Sequence, residues 1–216
     1  KSTTTFTALN DGTAITYQEL LNYNVYINVH LSATELNTLV AQGDIGQNEL
    51  TGETISYNLN ETDVPGISGS VEFAERVNQT TLVTIMLTGT VAGGSHPAHI
   101  HENDIATTGN IIAGLNNVNG DTGISKTQVA SLVGGAAVTY TDFLTISAYV
   151  NAHLSDADLT TIVVKGNIGS NDGDDPAESK TYDVTNSGAS AYIFNGEGLT
   201  NENNPNFTFR RGGTYT

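Results

Sequence analysis

The five histidines of the chain lie in three short segments and are the first candidates for chemistry. His96, His99 and His101 belong to the run HPAHIH, whereas His30 and His153 lie far from it along the chain. His99 and His101 are two residues apart on a predicted strand, so their rings project from one face about 6–7 Å apart. Two neutral imidazoles at this spacing can bind the same metal ion.

A third imidazole from a neighbouring strand would complete a site of the kind that binds copper or zinc. His153 is the predicted third ligand, because it shares one face of its predicted strand with Tyr149 and Asn151. His96 and His30 are the candidates for a fourth ligand. Since His30 and His153 occupy equivalent places in a repeat, the alternative is that both are kept for packing, with a ring N–H bonded to a backbone carbonyl.

Carboxylates near these histidines suggest two weaker predictions. Glu102 and Asp104 follow His101 and are candidates for orienting its ring, the alternative being that they face solvent. The oxygen-rich run NDGDD at residues 171–175 can in principle bind calcium. It lacks the spaced carboxylates of a formal calcium loop, so a solvated turn is the favoured interpretation.

A segment of 32 residues occurs twice, at a constant offset of 123 positions. The N-terminal copy, residues 15–46, and the C-terminal copy, residues 138–169, align without a gap and are identical at 14 positions. This period is too long for a solenoid, whose repeats span about 20–50 residues. The repeat predicts the same unit at both ends of one domain, or the ends of two units in a longer tandem array.

Each copy is predicted to begin with a strand. In the N-terminal copy the run VYINVHL, residues 25–31, alternates with period two, and the C-terminal copy keeps the same phase. The run SATE that follows resembles a capping box and predicts a short helical turn. The run GDIG at residues 43–46 predicts a closing turn.

The composition excludes several classes of partner. The net charge is −16 with only seven Lys and Arg residues, so we expect neither nucleic-acid binding nor attraction to anionic lipid. No apolar stretch approaches the roughly 18 residues of a membrane helix, so we expect no membrane insertion. Cysteine is absent, which excludes disulfides and thiolate metal sites. The acidic, Thr- and Asn-rich composition favours an extracellular or cell-surface location.

The chain is predicted to contain three parts. Residues 1–14 are a polar lead-in, and residues 15–185 are an all-β domain that includes both repeat copies. Residues 186–216 contain further strands. These either begin a second domain or donate strands to a neighbouring molecule.

The order of features from residue 66 to residue 104 resembles Cu/Zn superoxide dismutase. GISGSVEF and TLVTIMLTGT precede a glycine-rich loop and then HPAHIHEND. With the flanking YINVHLS-type segments, the pattern of residues 15–171 resembles the CHRD domain of secreted proteins still more closely. The resemblance implies an antiparallel Greek-key β-sandwich of about eight strands with short helical turns. The run that begins AYIFNGEG, after residue 190, resembles the start of a cupredoxin-like domain.

The resemblance implies that His99, His101 and His153 are copper ligands, but the dismutase pattern is incomplete. Residues 103–120 contain no histidine that would bridge to a zinc ion, and no counterpart of the active-site arginine appears by Gly169. The family's disulfide is impossible without cysteine. A strongly negative chain also repels superoxide.

Three hypotheses for function follow. The favoured one is a secreted, non-enzymatic structural or assembly module, a subunit of an extracellular filament or surface layer that self-associates by β-strand addition. The second is a copper-binding domain with a three-histidine site, and the third is a divergent superoxide dismutase. The two repeat copies either share one enlarged sandwich, or one of them pairs with another molecule.

Overall fold

Strands form most of the regular structure in the computed structural model, which describes residues 2–173, 179–188, 190–196, 199–207 and 214–216. Two single-turn helices, α1 (Tyr17–Leu20) and α2 (Tyr140–Phe143), accompany them. The strands are, in chain order, β1 (Asn24–His30), β2 (Leu39–Gly46), β3 (Leu50–Glu61), β4 (Ser68–Arg76), β5 (Thr81–Thr88), β6 (Ser95–Glu102), β7 (Ile111–Asn119), β8 (Ile124–Val129), β9 (Ser147–Ser155), β10 (Asp158–Gly169), β11 (Ser179–Lys180), β12 (Asp183–Ser187), β13 (Ala191–Gly196), β14 (Leu199–Asn203) and β15 (Thr214–Tyr215).

Strands β3 to β10 close into a barrel. Their order around it is β10-β3-β4-β5-β8-β7-β6-β9, and neighbouring strands are antiparallel. Because the sheet closes on itself, the barrel has no edge strand with a row of unpaired backbone N–H and C=O groups. The prediction of an all-β, antiparallel fold is confirmed.

Alternate residues of the barrel strands fill its interior, as period-two patterning requires. The core is made largely of aliphatic and aromatic side chains from all eight strands and from α2. Phe143, on α2, packs against Phe73 with ring centroids 4.9 Å apart, and Tyr57 meets Phe73 edge-on at 5.7 Å. The helical turn therefore contributes its aromatic side chain directly to the core.

The two repeat copies differ in what surrounds them. The C-terminal copy supplies β9 and β10, which pair with β6 and β3 in the barrel. The N-terminal copy supplies β1 and β2, which pair only with each other among the described strands. In this molecule, therefore, the copies do not share one sheet.

The prediction of a helical turn at the run SATE, residues 32–35, is wrong. Residues 31–38 form the bend of the β1–β2 hairpin, and residues 43–46 belong to β2 rather than to a closing turn. Pairing with β1 satisfies the backbone of residues 43–46, and turn hydrogen bonds such as that from Glu35 N–H to the Ser32 carbonyl close the bend. Capping boxes occur instead just before α1 and α2, at Thr16 with Glu19 and at Thr139 with Asp142.

A polar junction holds the base of the β1–β2 hairpin against the barrel. The buried guanidinium of Arg76 lies 2.8 Å from a carboxylate oxygen of Asp44 and also donates to the Asn48 carbonyl. Asn48 Nδ2 in turn donates to the backbone carbonyl of Val25 at 3.2 Å. The hairpin is thus anchored at one end, while its strands extend away from that anchor.

The C-terminal part forms two small sheets. Strands β12, β13 and β14 make an antiparallel sheet, and β11 pairs in parallel with β15. Tyr182, Phe194 and Phe207 pack edge-on with centroids 4.9 to 6.4 Å apart. Asp174 and Asp175 of the predicted calcium turn lie outside the described residues. None of the described helices has the length and apolar character needed to cross a bilayer.

Candidate metal centre

Two histidines of β6, His99 and His101, lie on the outer face of the barrel wall. Ala98 and Ile100 point into the core, so the alternating residues His99 and His101 face outward. Strand β9 runs beside β6, with His99 paired to Asn151 and His101 paired to Tyr149. His153, two residues beyond Asn151, has the same outward phase.

This pairing brings His99, His101 and His153 together. One possible ligand atom from each residue lies within 4.8 Å of those from the other two. The ring centroid of His99 is 5.8 Å from that of His101 and 5.2 Å from that of His153. Three nitrogens around one ion at 2.0–2.1 Å would be about 3.5 Å apart, so side-chain shifts of roughly 1 Å would close the site. The group can hold a metal ion.

Each of the three rings keeps one buried nitrogen without a hydrogen-bond partner. These atoms are His99 Nδ1, His101 Nε2 and His153 Nδ1. A buried polar atom left unpaired costs about 1–3 kcal/mol, and native proteins rarely leave several together. Three neighbouring rings that each carry such a nitrogen can supply the electron pairs that bind a shared metal ion.

The loop between β6 and β7 fixes the ring of His101. His101 Nδ1 lies 3.0 Å from the carbonyl oxygen of Gly109, so Nδ1 carries the proton and Nε2 keeps its lone pair. A side chain at Gly109 would meet the carbonyl of Glu102, since an added Cβ would lie 2.1 Å from that oxygen. The ring of His101 also stacks on that of Tyr149, with ring centroids 4.9 Å apart and an angle of 12° between the ring planes.

Glu102 and Asp104 support this loop rather than the ring. Glu102 Oε1 accepts from Asn110 Nδ2 at 2.7 Å, and Asp104 Oδ1 accepts from the backbone N–H of Thr107 at 2.6 Å. Sequence reasoning missed the role of Gly109, because a backbone carbonyl has no signature in the sequence. It also missed Asn167, whose Oδ1 accepts from the N–H of Ile105 at 2.9 Å and ties the same loop to β10.

The two candidates for a fourth ligand lie outside the three-histidine group. His96 is buried, and its Nδ1 lies 3.1 Å from the backbone carbonyl of His153, so it braces β9 beside the ligand. His30 lies on β1, at the place in the N-terminal copy that His153 holds in the C-terminal copy. The described group therefore leaves a fourth coordination position open.

Burial lowers the pKa of two of the rings and so favours their neutral form. Desolvation, followed by the proximity of His153 and His101, lowers the pKa of His99 below its usual 6.5. Desolvation and His101 also lower the pKa of His153, although a hydrogen bond to the backbone of Leu159 and the charge of Asp158 act in the opposite direction. Neutral imidazole is the form that binds metal, so these shifts extend the range of pH over which the site can do so.

We expect the metal-free protein to lose stability as the pH falls from about 6.5 towards 5. His99 and His153 have lowered pKa values in the folded state, so the unfolded chain binds protons more readily in this range. The free energy of unfolding should therefore be at its full value above about pH 6.5 and decline below it. Urea titrations between pH 7.5 and 5 measure this. The double variant His99→Gln, His153→Gln should show a flatter profile, and an unchanged slope would contradict the assignment.

Comparison with known proteins gave no match to a family model. It also gave no significant match among curated proteins or among solved structures. The resemblance to CHRD domains and to Cu/Zn superoxide dismutase therefore stays a prediction from the sequence.

Proposed function

We propose that the barrel binds one transition-metal ion, copper or zinc, through His99, His101 and His153. The observation that supports this most strongly is that the three imidazoles can each offer a ligand atom within 4.8 Å of the others, and each ring also has a buried nitrogen without a hydrogen-bond partner. Imidazole suits both metals, and nitrogen sites generally prefer Cu²⁺ to Zn²⁺. His99 and His101 are only half-buried, so the fourth position is open to water or to a small ligand.

The proposed role is binding rather than turnover of superoxide. Residues 103–120 supply no histidine that could bridge two metals, and the net charge of −16 disfavours approach of an anion. The pairing of β5 with β8 and of β6 with β9 supports a Greek-key sandwich of the dismutase and CHRD type as the framework. A CHRD-like metal-binding module in an extracellular protein is the identity that we propose.

Metal titration of the purified, chelator-treated chain tests this function. We expect one equivalent of Cu²⁺ or Zn²⁺ to bind and to raise the unfolding temperature, because an ion bound only to the folded state stabilises it. Elemental analysis after desalting should give one ion per chain. Absence of stoichiometric copper and zinc would refute the proposal. A superoxide assay on copper-loaded protein should show no turnover that depends on His99.

A second candidate function is an assembly module, and the exposure of the N-terminal copy favours it. In β1 the side chains of Ile27 and Val29 are 55% and 49% exposed, which is unusual for adjacent apolar positions on one strand face. Exposed, unpaired strand edges favour association with other strands. The metal site and the assembly surface use different copies of the repeat, so the two functions are compatible.

A further inference from the structure

The repeat is duplicated in structure as well as in sequence, beyond the aligned 32 residues. Before each helical turn lies an isolated bridge, Ala8 with Ala14 and Ser131 with Ala137, again 123 positions apart. After each hairpin an asparagine donates to the start of its first strand: Asn48 to the Val25 carbonyl at 3.2 Å, and Asn171 to the Ala148 carbonyl at 3.3 Å.

The main-chain hydrogen bonds agree in the same way. Ile15 N–H donates to the Thr7 carbonyl at 3.0 Å, and Val138 N–H donates to the Ala130 carbonyl at 3.1 Å. Gly46 and Gly169, which end the two hairpins, have φ values of 66° and 64°. Residues 7–49 therefore have the local conformation that residues 130–172 adopt as part of a barrel.

What the N-terminal copy lacks is the rest of the barrel. On the face that forms core in the C-terminal copy, Ile27 is 55% exposed, whereas its equivalent Val150 is fully buried. Val29 is 49% exposed, and its equivalent Ala152 is fully buried. On the opposite face, Tyr26 is 58% exposed and its equivalent Tyr149 is 5% exposed. The apolar face that forms core in the C-terminal copy is thus preformed and uncovered in the N-terminal copy, which is the pattern of an interaction surface.

The partner can be inferred by comparing the number of hairpins with the number of strand sets that can accept a hairpin. The described residues form two such hairpins but one set of strands, β3 to β8, between which a hairpin fits. The C-terminal copy already fills that place by pairing with β6 and β3. A complete second copy would have to expel its own hairpin to accept another, and would bury no more apolar surface by the exchange. The face therefore fits a barrel whose own closing hairpin is missing.

We propose that residues 7–46 close the barrel of another unit of the same kind, formed by strands equivalent to β3–β8 of this chain. In that position Ile27 takes the place of Val150 opposite the equivalent of Ile100, and Val29 takes the place of Ala152 opposite the equivalent of Ala98. In an array of such units, each 123 residues long, the hairpin that closes one barrel is followed directly by the first strand of the next barrel. The connection from β2 to β3 in this chain is an example.

The same docking completes a second three-histidine site, an extension that rests on the proposed metal-binding function. His30 takes the place of His153, beside the equivalents of His99 and His101. Its Nδ1 is buried and without a hydrogen-bond partner, as is Nδ1 of His153. One ion would then bind for each closed barrel.

A chain with one added unit tests the proposal. Residues 47–130 are joined directly ahead of residue 8, because residue 131 is the equivalent of residue 8 and the junction reproduces a native one. Hydrogen exchange is measured on the amides of β1 in this chain and in the original. We expect exchange at Ile27 and Val29 to slow by about 100-fold or more, since the amides of a barrel strand open only with the barrel. Bound Cu²⁺ should rise from one ion to two.

Two matched chains provide the controls. Replacing residues 8–46 of the extended chain by residues 131–169 gives a chain whose added barrel receives the native hairpin. Ile27→Asp in the extended chain should abolish the protection of β1 without affecting that of β9.

The outcomes separate the two proposals. Protection of the added barrel's hairpin in the chain that carries residues 131–169, without protection of β1 in the extended chain, would overturn the docking proposal. So would a dimer of the original chain that Ile27→Asp dissociates, since the occupant would then be a second copy. Protection of β1 with one bound ion would overturn only the second metal site. Absence of bound ion in the original chain would refute the proposed function and leave docking intact.

Discussion

Replacing His153 with alanine is expected to lower the affinity of the chain for Cu²⁺ or Zn²⁺ by roughly 100-fold or more. Loss of a group that merely orients a ligand costs about 10–100-fold, and His153 is placed to be a ligand itself. Its substitution leaves two nitrogens, His99 Nδ1 and His101 Nε2, on one strand. Competition of the purified variant with a chromophoric chelator at pH 7.5 measures the change.

His30→Ala is the matched control for this experiment. His30 holds the equivalent position in the N-terminal copy, but it lies outside the three-histidine group. The affinity of this variant should equal that of the unmodified chain. Equal losses in both variants would mean that the ion bridges the two copies, and unchanged affinity in both would exclude the three-histidine site. Far-ultraviolet circular dichroism of each variant separates ligand loss from unfolding.

Local patterns in the sequence were sufficient to predict the strands that carry His99, His101 and His153, and the grouping of these three residues. The period-two alternation around His153 placed its ring on the face of Tyr149 and Asn151, and the pairing of β9 with β6 brings that face beside His99 and His101. Because side chains alternate strictly along a strand, the phase of a short segment predicts which groups can meet once two strands are neighbours.

Which strands pair with each other across the chain could not be predicted from local patterns. The alternation of the N-terminal copy is as regular as that of the C-terminal copy, yet only the latter lies in the barrel. Local sequence specifies the hairpin, whereas the strands beside it depend on which segments compete for the same edges. The helical turn predicted at SATE failed for a related reason. Ser, Thr and Glu suit a helix N-terminus, but here these residues form the bend between two paired strands and their backbone makes turn hydrogen bonds.

Val150→Asp is expected to destabilise the barrel by at least about 4 kcal/mol, because it places a carboxylate in an apolar core without a partner. Val150 is fully buried and is paired with Ile100 on one side and Gly166 on the other. For a chain of this size the unfolding temperature should fall by roughly 10–20 °C. Metal binding should be lost with it, since β9 carries His153. Differential scanning calorimetry of the metal-free protein measures the effect.

Ile27→Asp makes the same chemical change at the equivalent position of the N-terminal copy, 123 residues earlier. Its side chain is already largely in water, so the expected change in the free energy of unfolding is within about 0.5 kcal/mol. The contrast between the two variants measures how much of the hydrophobic stabilisation of a repeat copy comes from the barrel around it rather than from the hairpin. A large loss from Ile27→Asp in the isolated chain would mean that the N-terminal copy is covered in solution by a neighbouring molecule. A separate open barrel would then not be its partner, because another complete chain would already occupy its apolar face.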